Sequence, residues 1–253
     1  MKLTLILYLA SWLEKREGNI KSIARVLLPF LVLVGVVAGL VMLEPDMGTT
    51  MVIILIAIAM FFSAGASWAE ISLTGLLALI IGWILIYSSS YRWQRFLTFI
   101  NPAKESTGAA YHISQALLAI GSGGLWGVGF GQSRQKYLYL PQAHTDSIFA
   151  IIGEELGFFR AAGIFILYII LGLRGFRIAQ RAPDSFARFL AVGITSWLIF
   201  QTLINLSAML GLLPLTGVTL PFISYGGSSL VINLIAVGIL LNISRQANQS
   251  GVK

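Results

Sequence analysis

Five carboxylates stand at the ends of long apolar runs, where an ionisable side chain is costly and therefore often functional. The other five of the ten acidic residues lie among cations or in short turns and are best read as solvated charge. The chain has no cysteine, which excludes thiol catalysis, and its two histidines lack a metal-ligand spacing. The five candidates are Glu44, Asp46, Asp146, Glu154 and Glu155.

Asp146 is the most specific candidate. It lies in LPQAHTDSIFA (140–150), where a loop leads into an apolar run. A carboxylate in that position can act as a general base. Alternatively, Asp146 caps the N-terminus of the helix that follows, and spacing alone favours this second interpretation.

A pair of arginines offers the matching positive charge. Arg92 and Arg95 are three residues apart, so one helical face presents both guanidinium groups. Such a pair can clamp a phosphate or a diphosphate. Anchoring at the membrane interface beside Tyr91 and Trp93 is the alternative. For Glu154 and Glu155, the alternative to a binding role is an ion pair with Arg160 or another loop cation.

Composition identifies the solvent around these residues. Hydrophobic residues make up 57% of the chain, charged residues make up 11%, and the mean hydropathy is +0.85. Soluble domains carry roughly 25% charged residues, so most of this surface must face lipid. The net charge of +7 comes from short clusters between apolar runs. That pattern indicates membrane orientation rather than binding to nucleic acid.

The apolar runs predict an all-α polytopic membrane protein that forms one integral membrane domain over residues 1–253. A spanning helix needs about 20 apolar residues, and continuous runs argue against a barrel. The run 3–13 is too short to span and reads as the tail of a helix that starts upstream of a truncated N-terminus. The predicted spans are 26–43, 47–69, 71–91, 147–173 and two within 189–244, joined by 214–228.

Basic residues predict the orientation. Lysines and arginines concentrate in 14–25, in 174–188 and in the C-terminal tail, which places these segments in the cytoplasm. Segments 92–146 and 213–228 then face outward. Within the first of these, residues 110–120 predict a short interfacial helix, followed by a glycine-rich stretch.

Six segments together resemble the SEDS family (shape, elongation, division and sporulation). Their sequences are more similar to those of its cell-division members than to those of its rod-shape members. They follow the family's order along almost the whole chain. The segments are EPDMGTT (44–50), YRWQRFLTFINP (91–102), GSGGLWGVGFGQS (121–133), LPQAHTD (140–146), EELG (154–157) and GLLPLTGVTLPFISYGGSS (211–229).

The resemblance implies a bundle of ten transmembrane helices, of which this chain would hold about seven. It also implies a peptidoglycan glycosyltransferase of the plasma membrane, active at the division septum with a class B penicillin-binding protein and other divisome proteins. Asp146 maps onto the family's essential aspartate. The substrate-binding candidates are Arg92, Arg95, Lys136, His144, Glu44, Asp46, Glu154, Ser224, Tyr225 and Gly226.

The implied reaction joins a polyprenyl-diphosphate-linked glycan to the 4-hydroxyl of lipid II, with inversion and a β-1,4 linkage. Asp146 would take the hydroxyl proton, while cations assist the diphosphate. No cofactor is certain, although Glu44, Asp46 or Glu154 could hold Mg²⁺ or Mn²⁺. Thr216 stands where many family members have lysine. A lipid II flippase and a non-catalytic divisome scaffold are the alternative functions.

The orientation can be tested with single cysteines, because the native chain contains none. On intact cells, an impermeant thiol reagent is expected to label Ser106→Cys and to leave Ser22→Cys unlabelled. After permeabilisation both variants should react. Labelling of Ser22→Cys but not Ser106→Cys on intact cells would reverse the topology.

Overall fold

The computed structural model describes residues 1–17, 26–100, 108–136 and 140–250. Within these ranges every regular element is a helix, which confirms the all-α class. Lys21, Ser22, Arg25 and Ser106 lie outside the described residues. The helices are α1 (Lys2–Glu14), α2 (Leu28–Leu43), α3 (Met47–Ser63), α4 (Trp68–Tyr87), α5 (Ser90–Ile100), α6 (Gly108–Gly123), α7 (Ile148–Gln180), α8 (Ser185–Met209) and α9 (Gly227–Ser250).

The apolar runs predicted these helices closely. Helices α4, α7, α8 and α9 are long and apolar enough to cross a membrane, and α2 and α3 are shorter apolar helices. The helix expected over 110–120 exists as α6, its position at the membrane interface stays a prediction, and the glycine-rich stretch after it forms turns. Residues 210–226 between α8 and α9 form an irregular segment with turns at 210–213 and 221–225, where the sequence predicted a connection over 214–228.

The turn between α3 and α4 corrects one expectation. Glu70 was expected to be solvated, but it is 7% exposed. Its carboxylate accepts a hydrogen bond from the Ser67 backbone N–H at 2.7 Å, and the Ser67 hydroxyl accepts one from the Glu70 N–H at 3.3 Å. This reciprocal pair is a capping box, and it explains why α4 begins at Trp68.

The chain forms two compact units made of interleaved segments. Unit 1 contains Met1–Ile80, Ile170–Phe200 and Ser228–Lys253, and unit 2 contains Ile81–Ile169 and Gln201–Gly227. In unit 1 the rings of Phe30 and Phe61 stack with centroids 4.8 Å apart. Because each unit draws on distant segments, no single cut in the sequence separates them.

In unit 2, helix α7 is interrupted at Gly157, whose φ of 77° and ψ of 178° are not helical. A helix break within a membrane span leaves backbone groups without intrahelical partners, and these must be satisfied by other protein groups. Here the segment 124–129 supplies them. The bonds run from Val128 N to Glu154 O (3.0 Å), Gly129 N to Glu155 O (3.1 Å), Phe158 N to Gly124 O (2.9 Å) and Phe159 N to Leu125 O (3.4 Å).

This repair depends on glycine. Gly127 has a φ of +85°, and a Cβ added there would overlap backbone atoms of Glu155 and Leu156. Gly157 is equally tight against the backbone of Trp126 and Gly127. The two backbones can exchange hydrogen bonds because neither glycine carries a side chain that would hold them apart.

Gly127→Ala is therefore expected to destabilise the protein by at least ~2 kcal/mol, since it adds a left-handed alanine to a backbone overlap. Gly121→Ala is the matched control, because a Cβ there meets nothing within 4 Å and alanine favours a helix by up to ~1 kcal/mol. Thermal unfolding in detergent measures both. Equal melting temperatures for the two variants would contradict the role given to Gly127.

Candidate active site

Two loops of unit 2, residues 140–147 and 210–226, are joined by hydrogen bonds. The backbone N–H of Tyr225 donates to the carbonyl of His144 at 2.8 Å. The hydroxyl of Ser224 donates to the carbonyl of Thr145 at 2.5 Å. The two bonds attach consecutive residues of one loop to consecutive residues of the other, so the backbone immediately before Asp146 is fixed.

Asn205 of α8 completes this attachment. Its side-chain amide donates to the carbonyls of Asp146 and Val218, both at 2.7 Å. The residue is 1% exposed, so these bonds are shielded from water. Its carbonyl oxygen Oδ1 is buried without a partner among the described residues. The Asn205 side chain, which belongs to a predicted span, thus holds both loops. A neutral asparagine in an apolar run did not by itself predict this role.

The carboxylate of Asp146 itself is left largely unpaired. The residue is 8% exposed, and its Oδ1 accepts a hydrogen bond from the Thr145 hydroxyl at 3.2 Å. Among the described residues, no N–H of the first turn of α7 donates to it. The N-cap interpretation, which spacing favoured, is therefore wrong. The carboxylate keeps acceptor positions for a proton.

His112 of α6 lies beside the same loop. Its Nε2 is 2.5 Å from the Ser147 hydroxyl, which donates to the Pro141 carbonyl at 3.0 Å. Burial lowers the pKa of His112 below its ordinary value, the charge of Asp146 raises it and the charge of Arg95 lowers it. The imidazole is therefore neutral near pH 7, and Nε2–H is the donor to Ser147.

The two candidate arginines differ in their hydrogen bonds to the rest of the protein. Arg95 donates to the Leu215 carbonyl at 3.2 Å and lies over the Tyr91 ring, 4.7 Å from its centroid. It thus holds the loop 210–226 to α5. Arg92 has Nε and Nη1 buried without a hydrogen-bond partner in the described part of the chain. A desolvated, unpaired guanidinium is costly unless a ligand supplies acceptors.

Glu154 and Glu155 organise the loop 131–136 instead of facing open space. Glu155 pairs with Lys136 at 2.9 Å, so the ion-pair alternative is confirmed for this residue, with Lys136 rather than Arg160 as partner. Both carboxylates accept hydrogen bonds from donors within the protein. Because Glu154 and Lys136 already have these partners, the geometry does not favour a role for either in binding substrate. The other bonds run to Glu154 from Ser133 Oγ (2.5 Å), Arg134 N (3.0 Å) and Gln135 N (3.4 Å), and to Glu155 from Gly131 N (3.0 Å) and Ser133 N (3.3 Å).

Glu44 and Asp46 belong to unit 1. Asp46 caps α3, since its Oδ1 accepts from the Thr49 N–H at 2.8 Å, and Glu44 is exposed. Among the described residues, no three His, Asp or Glu side chains gather to hold a metal ion. Asp46 already caps a helix and Glu154 already accepts three internal hydrogen bonds, so a role of Glu44, Asp46 or Glu154 in binding Mg²⁺ or Mn²⁺ stays a prediction.

The structure thus brings together Asp146, His144 and Ser224 at the joined loops, with Tyr225 and Gly226 directly following. Tyr225 is 80% exposed and the His144 side chain is exposed. Arg95 joins them through its bond to Leu215. The sequence analysis did not identify Asn205 or His112 as part of this site. A buried amide inside an apolar run was the available signal for Asn205.

Comparison with known proteins identifies close relatives. Residues 1–249 match the family described as cell cycle protein, which covers FtsW, RodA and SpoVE. Stage V sporulation protein E of Bacillus subtilis is 46% identical, over 97% of this chain and 67% of the relative. The probable peptidoglycan glycosyltransferase FtsW of Geobacter sulfurreducens is 43% identical, over 96% of this chain and 65% of the relative. The chain thus spans about two thirds of the length of these relatives.

Solved structures show the same fold. A peptidoglycan synthase complex that coordinates polymerization and crosslinking contains a chain with a TM-score of 0.77 and 29% identity, covering 98% of this chain and 69% of that one. The rod shape determining protein RodA of Thermus thermophilus gives a TM-score of 0.64 and 33% identity, covering 97% and 64% respectively. These matches confirm the SEDS-type bundle.

The role of Asn205 can be tested against a second asparagine of equal burial. Asn205→Leu should destabilise the protein by about 2–4 kcal/mol, because two buried carbonyls would each lose a donor. Asn233 is also 1% exposed, but neither its Nδ2 nor its Oδ1 has a partner in the described residues. Asn233→Leu should therefore be neutral or stabilising. Equal losses in thermal unfolding would mean that burial, not bonding, determines the effect.

Proposed function

Because the chain belongs to the FtsW, RodA and SpoVE family of cell cycle proteins, we propose that it is a peptidoglycan glycosyltransferase that polymerises lipid II at the outer face of the plasma membrane. The observation that carries this proposal is the carboxylate of Asp146, which is buried and accepts one weak hydrogen bond. Its backbone is fixed through Asn205. A fixed carboxylate with free acceptor positions suits a general base.

In the proposed reaction, the 4-hydroxyl of lipid II attacks the anomeric carbon of the polyprenyl-diphosphate-linked glycan. Asp146 takes the hydroxyl proton, the bond from carbon to diphosphate breaks, and the diphosphate leaves with the electron pair. A single displacement inverts an α-linked donor to a β-1,4 bond. One base is sufficient, and no covalent enzyme intermediate forms.

The leaving diphosphate needs positive charge, and α5 supplies it. Arg92 has unpaired donors, and charge-assisted bonds to phosphate are among the strongest that a side chain forms. Arg95 extends the positive field while it holds the loop that carries Ser224 and Tyr225.

A lipid II flippase is the main competing function, and it requires ionisable or free polar groups along a path through the spans. Gln201 and Asn205 of α8 instead bond the carbonyls of Thr219 and Val218 in the outer loop. These two side chains position the loop, whereas Asn233 of α9 is buried without a partner among the described residues. The charged and hydrogen-bonded groups at the joined loops favour chemistry there, and an assay of lipid II translocation tests the transport alternative.

The similarity to the peptidoglycan synthase complex, whose description couples polymerization to crosslinking, supports a transpeptidase partner for this chain. We extend this to a class B penicillin-binding protein and, with it, to the divisome at the septum. The relatives at 46% and 43% identity carry sporulation and division names, which supports a role in septal rather than lateral wall synthesis. A scaffold without activity would need the same partner but not Asp146.

Asp146→Asn decides between these functions. Polymerisation of lipid II should fall by about 10²–10⁴-fold, because the amide keeps the shape but cannot accept the proton. The assay uses proteoliposomes with the penicillin-binding partner, for the chain itself and for the chain extended by the N-terminal segment of the B. subtilis relative. Glycan products are measured by gel electrophoresis.

The matched control is Asp184→Asn. Asp184 caps α8 by accepting from the Ala187 N–H at 2.7 Å, and asparagine caps about as well as aspartate. This variant should keep full activity and stability. Normal synthesis by Asp146→Asn would refute the catalytic role of Asp146. Absence of synthesis by the unsubstituted protein would favour a scaffold, and loss of lipid II translocation with intact polymerisation would favour a flippase.

A further inference from the structure

A basic pocket lies in unit 1 between the C-terminal ends of α7 and α9. It has a volume of about 370 Å³. Three arginines of α7, Arg174, Arg177 and Arg181, form one side, and Ser244 and Asn248 of α9 form the other. The proposed glycosyltransferase reaction uses none of these residues, so the pocket requires a separate explanation.

The three arginines share one helical face, because their spacing of three and four residues matches the turn of a helix. All three are exposed, and none forms an ion pair or a side-chain hydrogen bond within the described part of the chain. Like charges at this spacing repel each other weakly. An anion that binds between the guanidinium groups would relieve this repulsion.

Nearby acidic groups are engaged elsewhere. Glu17 pairs with Arg188, and the carboxylate of Asp184 caps α8. Among the described residues, the pocket thus has no internal counter-ion, although carboxylates lie in segments close to it in the sequence. This contrasts with the loop 131–136, where Lys136 is neutralised by Glu155.

Two general effects favour cations at this place without any ligand. Positive charge is stabilised at a helix C-terminus, and lysine and arginine accumulate on the cytoplasmic side of spans. Both effects act on charge alone, so lysine would serve as well as arginine. Neither accounts for hydrogen-bonding side chains of a second helix, Ser244 and Asn248, that face the same pocket.

We propose that this pocket binds the phosphate group of an anionic phospholipid from the cytoplasmic leaflet. Guanidinium groups match phosphate oxygens in pairs, and Ser244 and Asn248 can hydrogen-bond the remaining headgroup oxygens. Ile178 and Ala247 line the same pocket and offer an apolar surface to the glycerol and the first acyl carbons. Basic pockets between spans on this side of a membrane bind such headgroups in general.

Lipid titration followed by native mass spectrometry tests the proposal on the whole chain in detergent. Phosphatidylglycerol should bind at least about tenfold more tightly than phosphatidylcholine with the same acyl chains, because only the former carries net charge. Arg177→Gln should weaken phosphatidylglycerol binding by about tenfold and leave phosphatidylcholine binding unchanged. Arg177→Lys should fall between the two, since lysine keeps the charge but loses the paired geometry.

Lys15→Gln is the matched control, because it removes one exposed positive charge from a segment that the sequence places on the same side but outside the pocket. It should leave phosphatidylglycerol binding unchanged. Equal weakening by Lys15→Gln and Arg177→Gln would overturn the site in favour of diffuse electrostatic attraction. Inorganic phosphate that binds as tightly as phosphatidylglycerol and displaces it would also overturn the proposal, because the ligand would then be a soluble phosphate.

Discussion

The candidate active site depends on the two hydrogen bonds that the Asn205 amide donates to the carbonyls of Asp146 and Val218. Both are 2.7 Å long and shielded from water, where an unmade bond costs more than at the surface. They connect a rigid membrane helix to two loops that have no regular structure of their own. Catalytic geometry requires groups held on rigid elements, and Asn205 gives loop residues that property. The bonds from Ser224 and Tyr225 then align the loops with each other.

The break in α7 at Gly157 works by the same physical rule, because backbone groups removed from water must find protein partners. The segment 124–129 satisfies them, and its own turns are fixed in return. Glu154 and Glu155, just before the break, direct their carboxylates to the loop 131–136. The acidic pair that looked like a binding site is thus the means by which one helix orders two successive loop segments. The order of these loops in unit 2 thus comes from hydrogen bonds that helix residues make outside their own helix.

The sequence predicted what continuous apolar runs determine, namely the helical class and the approximate ends of the spans. It could not predict the interruption at Gly157, because a glycine after two carboxylates is compatible with a continuous helix and only the close approach of Gly127 explains the break. The role of Asn205 could not be predicted for a related reason, because its partner Asp146 is 59 residues away in the chain. Asp146 itself was identified by its motif, whereas spacing alone suggested a cap. Glu70 is the opposite case, because its role could have been predicted. The spacing of Ser67 and Glu70 is that of a capping box, which is recognisable in the sequence.

Of the cations considered for the leaving diphosphate, Arg92 has unpaired donors among the described residues, and it lies on α5. Lys136 is neutralised by Glu155, and Arg95 donates to the Leu215 carbonyl. Thr216 follows Leu215 directly, and its hydroxyl is buried without a partner among the described residues. The family resemblance places a lysine at this position in many members, so here a neutral donor replaces a cation. A hydroxyl can bind a phosphate oxygen but contributes little to the stabilisation of a leaving diphosphate. In the proposed reaction, the unpaired donors of Arg92 would therefore carry a larger share of that stabilisation than in relatives with the lysine.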